Sequence, residues 1–579
     1  MESIIIPSSV TGIYPHAFHG CKSLKSVTIN TNYAITYDDL YSPFTTANGD
    51  EPENDCPIET VIYGEGVTSI PDNAWDGCES LKKVVIPEGV ATIGNNAFWC
   101  CTNLNEVTIP EGVTTIGEFA FWTCASLTEI VIPSSVTSVG SGAFENCAGL
   151  TDITINTNTA ITHYDHFDGS DSIATITYGE GVTTVPYNAW ADCKSLTSVT
   201  LPSSLTTIGE FSFSYCDSLQ SITIPSGVTT IGTSAFEDGI SLTSVTINTN
   251  TAMTYANHFS GCPIETVTYG EGVTSIPDNA WGGAYSVNSV TLPSTLETIG
   301  DAAFGVTAIS TINLPEGLLT IGAYAFDSSS LSSIIIPSTV TTIGEGAFVD
   351  TDITNITIPS SVTSVGSGAF NNCRGLQSIT INTNATITFA THFNEECTSL
   401  TTVAYGEGVT SIPDNAWDGC ETLTSVNVPS TLQSVGAGAF KYCTGVTSFE
   451  IPNANVAFGN EPFAASGLTN ITIPSGMTTI YSGMFRACFS LKSITIPSSV
   501  TTIGASAFEH AGLESVTIPS TVTSVGSSAF ANCSNLTSVT INTNTATSSG
   551  TFYGSPVATV AYGEGVTSIA EGAWAQTAS

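Results

Sequence analysis

Leu81, Leu104, Leu127 and Leu150 stand 23 residues apart, and the apolar pattern between them repeats each time. The phrase is L-x-x-[IV]-x-[IL]-P-x-x-V-x-x-I-G-x-x-A-F-x-x-C, read clearly in "LNEVTIPEGVTTIGEFAFWTC" over 104–124. In L-x-x-V-x-I the apolar residues alternate, the period of a strand with one face inward and one outward. The proline that follows has no N–H for a ladder and ends the strand. V-x-x-I-G predicts a second short extended piece closed by glycine at a turn. A-F-x-x-C predicts a turn or a short helical piece. From Leu24 to the coil beginning at Val557 the chain holds 24 such coils. Most have 22 or 23 residues; a partial coil precedes them, and an insertion over 41–56 stretches the first. No coil can bury its own apolar residues, but stacked coils can, each covering its neighbour.

The A-F position makes the stacking concrete. From Trp75 to Trp574 every coil carries an aromatic there, 23 without a gap. Each buried ring contributes about 1.5–3 kcal/mol, so the column reads as a continuous core. Two coil types depart from the phrase. One carries "INTN", at 29–32, 155–158, 247–250, 381–384 and 541–544. The other follows it directly and carries "YGEG", at 63–66, 178–181, 269–272, 405–408 and 562–565. Tyr there replaces the Ile of "TIP", Gly replaces its Pro, and Trp replaces Phe in the aromatic column, which predicts a reshaped core section. These two-coil modules fall near 24–80, 150–195, 242–286, 376–422 and 536–579. Their uneven spacing points to duplication of blocks of different length, not to a fixed ligand period. The expectation is one continuous solenoid over residues 1–579.

The full phrase resembles the BspA-type (Treponema-type) leucine-rich repeat, along nearly the whole chain. The resemblance implies a mainly β, right-handed solenoid of 22–23-residue coils. A parallel sheet would line one face and short extended or helical turns the other. It also implies surface-exposed or secreted proteins of mucosal bacteria and parasitic protists, many of them taken to be adhesins. A cell-surface or secreted location rests on that resemblance alone. The start, "MESIIIPSSV", has neither a basic region nor a 7–15-residue apolar core, so it does not read as a signal peptide. Both ends fall inside coils, as if cut or stacked on something else.

Charge narrows the partners. Only 9 residues are Lys or Arg against 50 Asp or Glu, for a net charge of −41. Nucleic acid needs cations against phosphate, and an anionic membrane needs the same; neither is expected as a partner. No apolar run is long enough to span a bilayer. An extracellular protein or glycan ligand, and self-association end to end, remain.

Candidate chemistry is sparse. Two residues after each coil start Ser, Thr or an acid dominates; four residues after it Thr stands in 15 of 24 coils, which makes the outer face of the sheet hydroxyl-rich. Thr108, Thr154, Thr177, Thr200, Thr223, Thr246, Thr268 and Thr291 are the candidate ligand-binding residues. Thr also simply suits a half-exposed strand. His166, His258 and His392 each precede the aromatic of an INTN coil. They are expected on a bulged loop facing water, as a possible binding rim. His163, Asp165, His166 and Asp168 could join round a metal, but the other copies lack the acids. The insertion holds Asp50, Glu51, Glu53 and Asp55, oxygen donors suited to calcium in a spacing that matches no EF-hand. Thirteen of the 16 cysteines share one column, Cys21 and Cys78 through Cys533. In-register Cβ vectors run parallel there, which argues for buried thiols over disulfides. No C-x-x-C occurs, so zinc is not expected. Good N-x-[ST] sequons stand at Asn355, Asn384, Asn470 and Asn535. No P-loop, H-E-x-x-H or G-x-S-x-G is present. No metal, cofactor or catalytic residue is assigned, and a binding scaffold is preferred to an enzyme. A structural spacer with no ligand of its own is the second reading.

Overall fold

The structure, a computed structural model, describes residues 1–13, 17–18, 21–36, 57–394, 397–545, 550–569, 574 and 577. The acidic insertion with Asp50, Glu51, Glu53 and Asp55 lies outside them. The chain divides into two units, Met1–Val273 and Thr274–Ser579. Each is a stack of parallel coils, mainly β.

In the first unit the L-x-x-V-x-I segments form parallel strands. Ser3–Ile6, Ser26–Ile29, Thr60–Tyr63, Lys83–Val85 and Glu106–Val107 make one sheet. Its register runs Ser3 to Ser26 to Thr60 to Lys83 to Glu106, so the long first coil keeps the repeat in step. Glu129–Ile132, Asp152–Ile155, Thr175–Tyr178 and Ser198–Thr200 make a second sheet. The V-x-x-I-G segments form their own parallel sheet of two-residue strands: Ser69–Ile70, Thr92–Ile93, Thr115–Ile116 and Ser138–Val139. The second unit repeats both kinds. Thr298–Ile299, Thr320–Ile321, Thr342–Ile343 and Ser364–Val365 pair in register, and Asn355–Ile358 pairs with Ser378–Ile381.

The third side of each coil is a turn whose backbone bonds run the other way. In the sheets an N–H donates to the preceding coil, as Lys82 N does to Glu59 O at 2.9 Å. In the turns it donates to the following one: Trp75 N to Ala97 O at 2.7 Å, Phe98 N to Ala120 O at 2.8 Å. Two residues per turn, four apart, take left-handed φ. Some are Gly or Asn, as at Gly142 (φ 64) and Asn146 (φ 59); others carry full side chains, as at Phe119 (φ 52) and Thr123 (φ 58). The A-F-x-x-C stretch is therefore a turn held open for its neighbours' backbone.

The aromatic column fills the interior. Phe98, Phe121, Phe144 and Phe167 are fully buried, with successive ring centroids 5.2, 5.2 and 5.1 Å apart. In the second unit Phe326, Phe348 and Phe370 stack at 5.7 Å. The cysteine column lies beside it, and Cys124, Cys147, Cys216 and Cys443 are buried free thiols. Each caps a carbonyl of the preceding coil's aromatic: Cys124 Sγ donates to Phe98 O at 3.3 Å and Cys147 Sγ to Phe121 O at 3.2 Å. Ser170 and Ser555 occupy the same place and make the same bond, at 2.9 and 2.8 Å. Cys78 corrects the all-thiol expectation, for it is disulfide-bonded. Every other described member of the column is free, so that bond does not run along the column, where the Cβ vectors fail to converge.

Candidate functional site

Three of the five INTN coils, those at 155–158, 247–250 and 381–384, have no second strand among the described residues. A four-residue helical turn stands there instead, His163–His166, Tyr255–His258 and Phe389–His392. The last short strand before such a coil loses the backbone partner that a following Gly N–H would supply, as Gly140 N does for Ile116 O at 2.8 Å. A carbonyl withdrawn from water needs a partner, and in two of these coils the histidine provides it to a half-buried one. His166 Nε2 lies 3.3 Å from Val139 O, and His392 Nε2 3.2 Å from Val365 O. The Nδ1 atoms meet the backbone of Thr162, Thr254 and Thr388 at 3.0–3.2 Å. His166, His258 and His392 are buried, at 7, 7 and 4% exposure. The expectation that they face water, and with it their use as a rim, is corrected: for His166 and His392 the ring turns inward to a carbonyl of the preceding coil's short strand, which the INTN coil leaves without a backbone donor. His166→Ala is expected to lower stability by about 1–3 kcal/mol by orphaning the Val139 carbonyl. His166→Gln, which keeps a donor, should lose less; urea melts of the two variants check this.

The INTN residues staple coil to coil. Thr157 Oγ1 donates back to Val136 O at 2.6 Å, and Thr31 Oγ1 to Val10 O at 2.7 Å. The second Asn reaches forward: Asn158 Nδ2 donates to Gly181 O at 3.1 Å, and its Oδ1 accepts from Thr183 N at 2.8 Å. Asn384 does the same with Gly408 and Thr410, so this sequon's amide is already engaged on both atoms. The first Asn explains the glycine of YGEG. A Cβ on Gly179 would fall 1.9 Å from Asn156 Oδ1, and one on Gly64 1.9 Å from Asn30 Oδ1. The two coil types travel together because one side chain fills the space the next coil leaves empty.

Tyr and Trp of the YGEG coil also arrive as a pair for a reason. Trp75 Nε1 donates to Tyr63 Oη at 2.8 Å, Trp190 to Tyr178 at 2.7 Å and Trp417 to Tyr405 at 2.7 Å, all buried. A buried indole N–H must be satisfied. Tyr178→Phe should therefore cost about 1–3 kcal/mol. Tyr178→Ile combined with Trp190→Phe, which restores an ordinary coil, should recover most of it. A double-mutant cycle by urea denaturation reads the coupling.

The threonine rows form as expected. Thr154 pairs with Thr177 and Thr177 with Thr200; Thr223 pairs with Thr246 and Thr246 with Thr268. Thr108, Thr200, Thr223 and Thr291 are exposed, whereas Thr154, Thr177, Thr246 and Thr268, all in module coils, are half-buried. None of the eight hydroxyls makes a hydrogen bond within the described residues. Another threonine column, one residue after the coil start, behaves differently. Thr151 Oγ1 donates to Thr128 O at 3.1 Å and Thr197 Oγ1 to Ala174 O at 3.0 Å.

His163, Asp165, His166 and Asp168 do not converge. His166 spends its ring on the backbone, Asp165 is exposed and bonded to Thr162, and no cluster of three metal-ligating side chains exists among the described residues. No helix among them is long and apolar enough to cross a membrane.

A model of the BspA type leucine rich repeat region matches six times, over residues 1–45, 53–174, 160–286, 274–393, 342–467 and 456–579. The chain belongs to the BspA-type leucine-rich repeat family. Solved structures similar to this BspA-type chain include a leucine-rich repeat protein from Bacteroides ovatus. It is 25% identical over 74% of this chain and 82% of that one, with a TM-score of 0.25. A leucine rich cell surface protein from Faecalibacterium prausnitzii is 24% identical over 79% and 88%, with a TM-score of 0.21. The T. pallidum leucine rich repeat protein is 23% identical over 38% and 78%, with a TM-score of 0.23. No curated protein matches this BspA-type chain.

Proposed function

We propose that the chain is a non-enzymatic binding scaffold at a cell surface or secreted from it, one continuous solenoid that engages an extended protein through its sheet face. The observation that carries this is the split between the two threonine columns. One spends its hydroxyls on neighbouring carbonyls. The other holds them in register on the outer face, exposed or half-buried, with no hydrogen bond among the described residues. In-register strands lie about 4.8 Å apart, so these rows offer evenly spaced donors and acceptors to a backbone or polar side chains. The scarcity of lysine and arginine leaves the face without repulsion toward a cationic partner. Adhesion of the full chain to immobilised collagen, fibronectin and laminin tests it. Thr200→Lys, Thr223→Lys and Thr246→Lys together should abolish adhesion at an unchanged melting temperature. Adhesion untouched by the triple change would refute the reading.

The second reading, a spacer or an end-to-end assembling unit, draws on the in-register parallel pairing by which each coil builds on its neighbour. It expects an apparent mass that rises with concentration in light scattering, and no response to the threonine changes.

A further inference from the structure

The module over 150–195 differs from its sisters at three positions that meet in space. The helical turn opens with His163 where the sister turns have Tyr255 and Phe389. Asp192 stands where sister coils have Gly77 and Gly419, and it takes the same left-handed backbone, φ 60 against 73 and 79. A carboxylate is thus kept at a site where glycine is the unstrained choice. Lys194 stands where sister coils have Glu79, Tyr285 and Glu421. Together with Asp171, Cys193 and Ser195 these residues line a cavity of about 480 Å³. Its floor is buried His163 and Cys193; its rim is exposed Asp171, Asp192, Lys194 and Ser195. His163 is 9% exposed, and its Nε2 is a buried ring nitrogen with no hydrogen-bond partner. A sister Tyr or Phe has no such atom to satisfy: Tyr255 Oη donates to Cys262 O at 3.0 Å, and Phe389 stacks on Phe393.

We propose that this cavity is a binding site for a neutral sugar, the terminal hexose of a glycan. The volume lies within the range of small-molecule sites. Two carboxylates, a serine hydroxyl and an imidazole nitrogen offer acceptors, and Lys194 and Ser195 offer donors. Sugar hydroxyls, each donor and acceptor at once, answer such a mixed set. A small anion would meet Asp171 and Asp192. A metal ion would need three converging ligands, and no such group occurs among the described residues. An organic ammonium would meet Lys194 and leave the donors unused. The lining residues lie in turns, not on the threonine rows, so the site stands or falls apart from the sheet-face reading.

Saturation-transfer NMR on the full chain tests it. The probes are methyl α-glucoside, methyl α-mannoside, methyl β-galactoside and methyl N-acetyl-β-glucosaminide, with butylamine and acetate as controls. At least one glycoside should bind in the millimolar range. His163→Phe, which restores the sister residue, should weaken it at least tenfold while the melting temperature holds or rises. Asp192→Gly, which also restores a sister residue and relieves the backbone, should weaken it at least fivefold; it decides the matter if His163→Phe misfolds. Absence of glycoside binding, binding unchanged in the properly folded variants, or variant-sensitive binding of butylamine or acetate instead overturns the proposal.

Discussion

Raised from pH 8 to pH 11, the protein is expected to unfold cooperatively, driven by its cysteine column. Burial pushes the thiols of Cys147, Cys193, Cys262, Cys373 and Cys533 up to about 12, and those of Cys420 and Cys488 to about 11. Cys101, Cys124, Cys216 and Cys443 are raised well above their ordinary value by the same burial. A thiol whose folded pKa exceeds its unfolded one contributes its full stability below the unfolded value, about 8.5. It loses that contribution as pH rises toward the folded value, because the unfolded chain ionises first. Each pH unit inside that window removes about 1.4 kcal/mol per thiol. At pH 11 several thiols acting together forfeit more than the roughly 5–15 kcal/mol that holds a domain. Buried Tyr63, Tyr178 and Tyr405 are raised too, chiefly by burial, and act in the same direction. Far-UV circular dichroism under anaerobic conditions reads the midpoint. Replacing Cys124, Cys147 and Cys216 by Ser should move it upward, since Ser170 and Ser555 show that a hydroxyl makes the same carbonyl bond. An unmoved midpoint would sink the assignment.

How much of this could be read from the residues depended on whether the cause lay inside one coil. The strand, the second short strand and the ring column each follow from a 23-residue phrase, and all three are present. The threonine rows follow from the same period once coils stack in register. The histidines did not follow, because their burial is decided one coil upstream, where Val139 and Val365 lose a backbone donor. Nor did the glycine of YGEG, whose reason is the Asn156 or Asn30 side chain of the coil before. In both cases the signal stands in the sequence, as INTN directly preceding YGEG each time, but its meaning lies in neighbouring coils laid side by side. The pairing of Tyr with Trp was visible as co-occurrence; the bond between hydroxyl and indole was not. The cavity at His163 left only a faint trace, one polar ring where two sisters carry Tyr and Phe.

Phe121→Ala should be among the most damaging single substitutions in the first unit, lowering stability by about 3–5 kcal/mol. The ring is fully buried and stacked on both sides, 5.2 Å from Phe98 and 5.2 Å from Phe144, so its loss removes two aromatic contacts and leaves a hole. The turn backbone binds coil to coil at the same level, through Phe98 N to Ala120 O and Phe121 N to Ala143 O, which limits how far the walls can close in. In a stack where each coil touches only its neighbours, stability is a sum of coil and interface terms. The substitution weakens two adjoining interfaces and spares distant ones. Urea unfolding should therefore shift to lower concentration and also broaden, as segments on either side begin to melt independently. Hydrogen exchange should quicken at the amides of Phe98 and Phe121 while the amide of Phe213, bonded to Ala235 O at 2.8 Å, keeps its protection. A loss below 1 kcal/mol, or exchange that rises evenly along the chain, would mean that the rings do not form the interior support on which every coil rests.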